Sequence, residues 1–320
     1  MHRRHALALA ASPWLALLPH ISNAQGRALT LVVGSTAGGS TDTLARVLGK
    51  VMSGQLGRSV LIENKPGGNG AISDGFVARA APDGNTLLMA AMAFTVNPLI
   101  VKNLPYDPVE SFTPITMVAR LPNLLVARKD APFSTAAELI AYAKANPNKL
   151  NFAVAGLGSS IHLATEDFKL RTGTTMLNVP YKGTSAAITD LMGGAVDLLF
   201  VGSASAMPHV QAGTIKAIGV ASKEPIAQLR NVPVLGDTVP GFESSAWFGL
   251  FGPAKMDARL TQTLYEAVRS SLNHPEMVAK LDAEAAIRVN YTPAEFGQFV
   301  RDESVRLRDL ITRADIKFGA

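Results

Sequence analysis

The chain has no cysteine. That excludes disulfides, thiol catalysis, iron–sulfur clusters and cysteine-based zinc sites, so the fold must rest on core burial, which 320 residues permit. Aromatic residues make up only 6% of the chain, with five tyrosines, and Lys and Arg are scattered singly. Despite a net charge of +5, no basic stripe with interleaved stacking rings exists to bind nucleic acid. Long apolar runs are missing as well. Ala6–Leu18 is interrupted by Ser12 and Pro13, and no later segment approaches the ~20 residues of a spanning helix.

The motifs of the common enzyme classes are absent too. The glycine loop Gly34–Gly39 lacks the GxGxxG order of a dinucleotide site, and no GK[ST], GxSxG or HExxH occurs. Of six histidines, His2, His5 and His20 lie at the N-terminus, and His162, His209 and His274 have no metal-ligand spacing. His162 reads as a capping or packing residue beside a glycine loop, and His209 and His274 as surface residues. Ser159 and Ser160 have no histidine and carboxylate placed to activate them, so they read as helix caps. No catalytic apparatus, cofactor or metal is expected.

What is present begins with an export signal. "MHRRHALALAASPWLALLPHISNA" runs from a basic start through a short apolar stretch to a small-x-small pattern, which predicts cleavage near Ala24 and an exported protein. Its removal leaves 28 basic and 25 acidic residues, a mildly basic chain.

Alternation then organises the rest. "LTLVV" is strand-like, Leu44, Val47, Leu48 and Val51 follow helical spacing, and "SVLIEN" and "NTLLMAAM" are short buried strands. A second glycine-rich loop, "NKPGGNGA", faces the same strand ends. From Leu121 a second unit opens with "NLLVAR", a helix with a Thr135–Glu138 capping box, and "LNFAVA". Further strands fall near 176–179, 197–201 and 216–220. The last segment, proline- and glycine-rich and then helical from Asp257, is too thin for a domain and should return to the first unit. The expected division is 1–24 signal peptide, 25–120 plus 229–320 domain I, and 121–228 domain II.

The opening theme recurs once. "GSTAGGSTD" and "GLGSSIH" each follow a strand, turn on glycines, carry paired hydroxyl residues and start a helix. Such a junction collects N–H groups and the positive end of a helix dipole, and ligands in open α/β sheets bind at these strand ends. Two junctions in facing domains would make a pincer for an anion.

"GSTAGGSTDTLARVLGKVMSGQLGRSVLIENKPGGNGAISDGFVARAAPDGNTLLMAAMAFTVNP" resembles the opening of the Bug, or tripartite tricarboxylate transporter, family of periplasmic substrate-binding proteins. "GLGSSIHLATEDF", "VPYKGTSAAITDLMGGAVDLLF", "MPHVQAGTIKAIGV" and "SSAWFGLFGP" continue the pattern in order. The resemblance implies an α/β, type 2 periplasmic-binding-protein fold, two α/β domains flanking a ligand cleft, and no enzyme activity. It implies that Gly38, Gly39, Ser40 and Thr41 in the first loop and Gly158, Ser159 and Ser160 in the second hold a small-molecule carboxylate, with Thr95 and Ser203 also at the cleft. Asp42 reads as the cap of its helix, because a carboxylate would repel the anion. The implied partners are the membrane permease subunits of a tripartite transporter, or a sensor kinase, with the receptor itself a monomer. An exported carboxylate-handling enzyme and a bare scaffold protein are the rival classes. Two departures concern specificity: Ser35 stands where relatives usually carry an aromatic residue, and Gly202 lies where an Asp is common.

Overall fold

The computed structural model describes residues 27–316 apart from Leu157. The signal peptide and its cleavage near Ala24 lie outside the described residues. The first part of the chain forms β1 (Leu29–Val33), α1 (Ser40–Leu56), β2 (Val60–Asn64), α2 (Ala71–Ala78), β3 (Thr86–Ala91) and α3 (Ala93–Ile100). Strand β1 lies between β2 and β3, all parallel, with Leu31 opposite both Ile62 and Leu87.

Next comes β4 (Phe112–Arg128), a 17-residue strand that belongs to two sheets. It leads into α4 (Ala136–Ala145), β5 (Asn151–Ala155), α5 (Ser160–Thr172), β6 (Leu177–Tyr181), α6 (Thr184–Met192), β7 (Leu198–Gly202), α7 (Ser203–Gln211) and β8 (Ile215–Val220). The chain returns through β9 (Ser245–Pro253) and ends in α8 (Ala258–Ser271), α9 (Pro275–Ala283), β10 (Ile287–Arg288) and α10 (Pro293–Arg313). Up to Pro122, β4 pairs antiparallel with β9 in the first sheet; from Asn123 it pairs antiparallel with β7 and β8 in the second.

Period-two alternation explains why the first sheet is covered on both faces. In β1 and β3, Leu29, Leu31, Val33, Leu87 and Met89 pack in one cluster with Leu44, Leu48, Leu264 and Val268 of α1 and α8. Val32, Leu88 and Ala90 point to the other, where Phe94, Trp247, Phe251 and Phe296 meet. Gly249 is required there: a Cβ at this position would overlap the Phe296 ring. The second sheet has its own core, with Phe152, Phe168, Phe200 and Phe242 in ring contact. Leu229, Val232, Val234, Leu235 and Val239 join that second core.

Contacts also join the two halves. Leu163 of α5 is buried among the first sheet's aromatic residues. The main-chain N–H of Asn123 donates to Ser244 O, Ala221 N–H to Asn123 O and Ser244 N–H to Ala221 O, tying the two crossing segments together. Among the described residues, no helix is long and apolar enough to cross a membrane.

Candidate functional site: two braced strand-to-helix turns

The first turn follows β1. Gly38 adopts φ +86°, a left-handed conformation that glycine tolerates, and Gly39 occupies the N-cap of α1 without a side-chain cap. Asp42 is therefore not the N-cap expected from the sequence. It sits at the third helical position, and its carboxylate reaches back to accept the Gly38 N–H at 2.8 Å. The buried carboxylate also accepts from Arg46 Nε at 2.9 Å and Asn64 Nδ2 at 2.8 Å. The Arg46 guanidinium, with the Gly38 N–H and the Asn64 amide, holds Asp42 down to about 2 against the opposing effect of burial.

The second turn follows β5 and repeats this construction. Gly158 has φ +76°, Ser159 caps α5, and the Gly158 N–H donates to Nδ1 of His162, the third helical residue, at 3.1 Å. In both turns the acceptor stands four residues after the glycine. His162 is 5% exposed, and burial lowers its pKa. A neutral ring accepting at Nδ1 carries its proton on Nε2.

These braces and caps occupy several of the predicted groups. The N–H groups of Gly38 and Gly158 are engaged. The Ser159 hydroxyl is also occupied: it donates to Ala155 O at 2.7 Å and accepts from His162 N–H at 3.2 Å. What the geometry leaves is the N–H groups at the first two positions of each helix, Ser40 and Thr41 in α1, Ser160 and Ile161 in α5, which have no intrahelical partner. Helix dipoles reinforce both turns, each typically worth about 0.3–1 kcal/mol toward an anion.

Thr95 and Ser203 are placed otherwise. Thr95 is 1% exposed and its hydroxyl donates to Met92 O at 3.0 Å. Ser203 is fully buried, its hydroxyl within 3.2 and 3.3 Å of the Glu284 and Ala285 carbonyls, where it fastens α7 to the end of α9.

A cavity of about 220 Å³ opens beside the first turn, lined by Ser35, Thr41, Asn69, Asp74, Ala93 and Phe94 among others. Thr41 is the predicted site residue it includes. Its wall continues through Ala91 and Ala93, which flank Met92, and Met92 in turn shares a smaller cavity with Leu163 of α5, Ser244 and Ser245. The Ser244 hydroxyl lies 3.4 Å from Ser160 O, so the second turn is also linked to the crossing strands. The sequence reading missed Asp74, buried in the first turn of α2 and accepting from Tyr106 Oη at 2.9 Å and Ser73 Oγ at 3.1 Å. Burial pushes Asp74 up to about 7 against both hydrogen bonds. The capping or packing role expected of His162 holds, and the repeated Gly-x-x-x-acceptor spacing, Gly38 to Asp42 and Gly158 to His162, carries it.

Comparison with known proteins decides the family. Residues 44–316 match the tripartite tricarboxylate transporter family receptor. The chain belongs to that family. Among solved structures, the R. palustris protein Rpa4515, with adipate, is 33% identical, covers 91% of this chain and 98% of its own, and has a TM-score of 0.76. The periplasmic binding protein BugD is 31% identical, with coverages of 91% and 99% and a TM-score of 0.73. MatC of Rhodopseudomonas palustris, with bound malate, is 30% identical, with coverages of 89% and 99% and a TM-score of 0.72. The resemblance drawn from the glycine-loop motifs thus holds, as does the two-domain periplasmic-binding-protein fold. The family is one of periplasmic solute-binding receptors, not enzymes.

Proposed function

We propose that this receptor captures a small organic carboxylate in the periplasm, between the first turns of α1 and α5, and passes it to the permease subunits of a tripartite tricarboxylate transporter. The observation that carries this reading is the paired brace: Gly38 to Asp42 and Gly158 to His162 each fix a helix start whose first two N–H groups have no intrahelical partner. Ser40, Thr41 and Ser160 are assigned to the ligand. Gly38, Gly39, Gly158 and Ser159 shape the turns, and Thr95 and Ser203 act through the framework. The adipate and malate carried by relatives of the same fold support a carboxylate as ligand.

The lobes divide where β4 changes sheets, at Pro122–Asn123, and where the chain returns, at Ser244–Ser245. This division moves residues 229–244 from the expected first lobe to the second, because Val232, Val234, Leu235, Val239 and Phe242 complete its core. Closure bends these two crossings.

A thermal-shift screen over mono-, di- and tricarboxylates, acidic amino acids and aromatic acids tests the reading. A ligand at about 100 times its Kd adds roughly 2.7 kcal/mol of stability. A rise in Tm with at least one carboxylate is expected; no response to any of them would reject it.

A further inference from the structure

The cavity beside the first turn holds two polar groups that the anion-binding turns do not use. Ser35 Oγ is buried and has no hydrogen-bond partner among the described residues, although the Ser35 carbonyl accepts from Asn64 Nδ2 at 3.0 Å. A buried hydroxyl in this state is unfavourable until something completes it. Asp74 is 4% exposed, and among the described residues its carboxylate receives the Tyr106 hydroxyl, with Ser73 Oγ 3.1 Å away but in shorter contact, 2.6 Å, with Gly70 O. An ionised carboxylate has about four acceptor positions, so capacity remains. None of the described residues lining the cavity is a lysine or arginine.

The sign of this environment restricts what can enter. Above about pH 7, where Asp74 is ionised, a ligand carboxylate placed here would meet its charge with no cation between them. A hydroxyl or ammonium group would instead donate to Asp74 and could complete Ser35, while the chain carrying it packs on Met89 and Phe94. Thr41 lines the same cavity and also belongs to the first turn of α1, so one small molecule can reach both regions.

We infer that Ser35 and Asp74 form a specificity subsite for carboxylates carrying a hydrogen-bond donor, a hydroxyl or an ammonium, next to the end gripped by the helix turns. This assignment rests on the carboxylate-receptor reading above. It separates hydroxy and amino acids from plain carboxylic acids with the same skeleton.

Calorimetry at pH 8, where Asp74 is ionised, with matched sets tests it: butyrate with 3-hydroxybutyrate and 3-aminobutyrate, and succinate with malate and aspartate. In the wild type, a donor-bearing member of at least one set should bind tenfold or more tightly than its parent. Ser35→Ala and Asp74→Asn should bring that ratio to threefold or less. An ammonium preference should fall further in Asp74→Asn than in Ser35→Ala, because only the former removes charge; a hydroxyl preference should fall in both. Ser35→Ala carries the test alone should Asp74→Asn fail to fold. Equal affinities within every set, or a ratio unchanged in a folded variant, would overturn the subsite and leave the receptor reading standing. No binding by any carboxylate, in these sets or in the thermal-shift screen, would instead remove the receptor reading and the subsite with it.

Discussion

The N–H of Gly158 donates to Nδ1 of His162 across 3.1 Å, the same four-residue step by which the N–H of Gly38 reaches the carboxylate of Asp42 at 2.8 Å. One acceptor is a ring whose pKa burial lowers, and the other a carboxylate that its partners hold at about 2. The two turns should therefore respond differently to acid.

For His162, burial favours the neutral ring, so its folded pKa lies below that of the unfolded chain. The associated stability is complete above the unfolded value of about 6.5 and declines as the pH falls from there toward the folded pKa. His162→Leu should flatten this part of the Tm–pH curve. It should also lower stability at pH 7.5 by about 1–3 kcal/mol, since the buried Gly158 N–H loses its acceptor. An unchanged acid slope in the variant would show that His162 is not the responsible group.

Asp74 acts with the opposite sign. Its folded pKa of about 7 lies above the ordinary carboxylate range, so the folded state holds a proton that the unfolded chain has released. Stability from this group is full below about pH 4 and is lost as the pH rises to about 7. Asp74→Asn keeps an oxygen for the Tyr106 hydroxyl and cannot ionise. Denaturant titrations of both proteins at pH 5 and pH 8 should show the wild type losing more stability over that interval than the variant; identical losses would contradict the assignment.

A packing prediction concerns Gly249. A Cβ there would drive into the Phe296 ring, which already touches Trp247, Phe251 and Phe299. Gly249→Ala should cost about 1–3 kcal/mol, as overpacking does, without altering ligand affinity in the folded protein. A variant as stable as the wild type would mean that α10 can shift away from β9.

The repeated glycine turns could be read in the sequence because strand, turn and helix are local patterns there. The N-terminal half of β4 could not. Pro114 and Pro122 look like breaks, yet both lie within the strand, with Pro122 paired opposite Ser245 and a bulge following Pro114. The Thr135–Glu138 capping box is half formed: Thr135 accepts the Glu138 N–H, while Glu138 accepts from the preceding Ser134 N–H. Thr95 and Ser203 have the right chemistry for a ligand but direct their hydroxyls to carbonyls, one of them 81 residues away. The Asp74–Tyr106 contact spans 32 residues and leaves no periodic trace.

Charge gives a fourth prediction. The groups assigned to the ligand's carboxylate are N–H and O–H dipoles, so affinity for an acid that carries no ammonium should change little between low and high salt at pH 7.5. It should drop near pH 4, where a carboxylic acid gains its proton. A steep loss of affinity with salt at neutral pH would point to a lysine or arginine site elsewhere.

The central claim is that one carboxylate ligand engages both helix starts, and backbone amide NMR tests it most directly. With the acid that gives the largest thermal shift added to saturation, the amide protons of Ser40 and Thr41 and those of Ser160 and Ile161 should move together, with a common dissociation constant. Large shifts in only one of these pairs, or in neither, would contradict it.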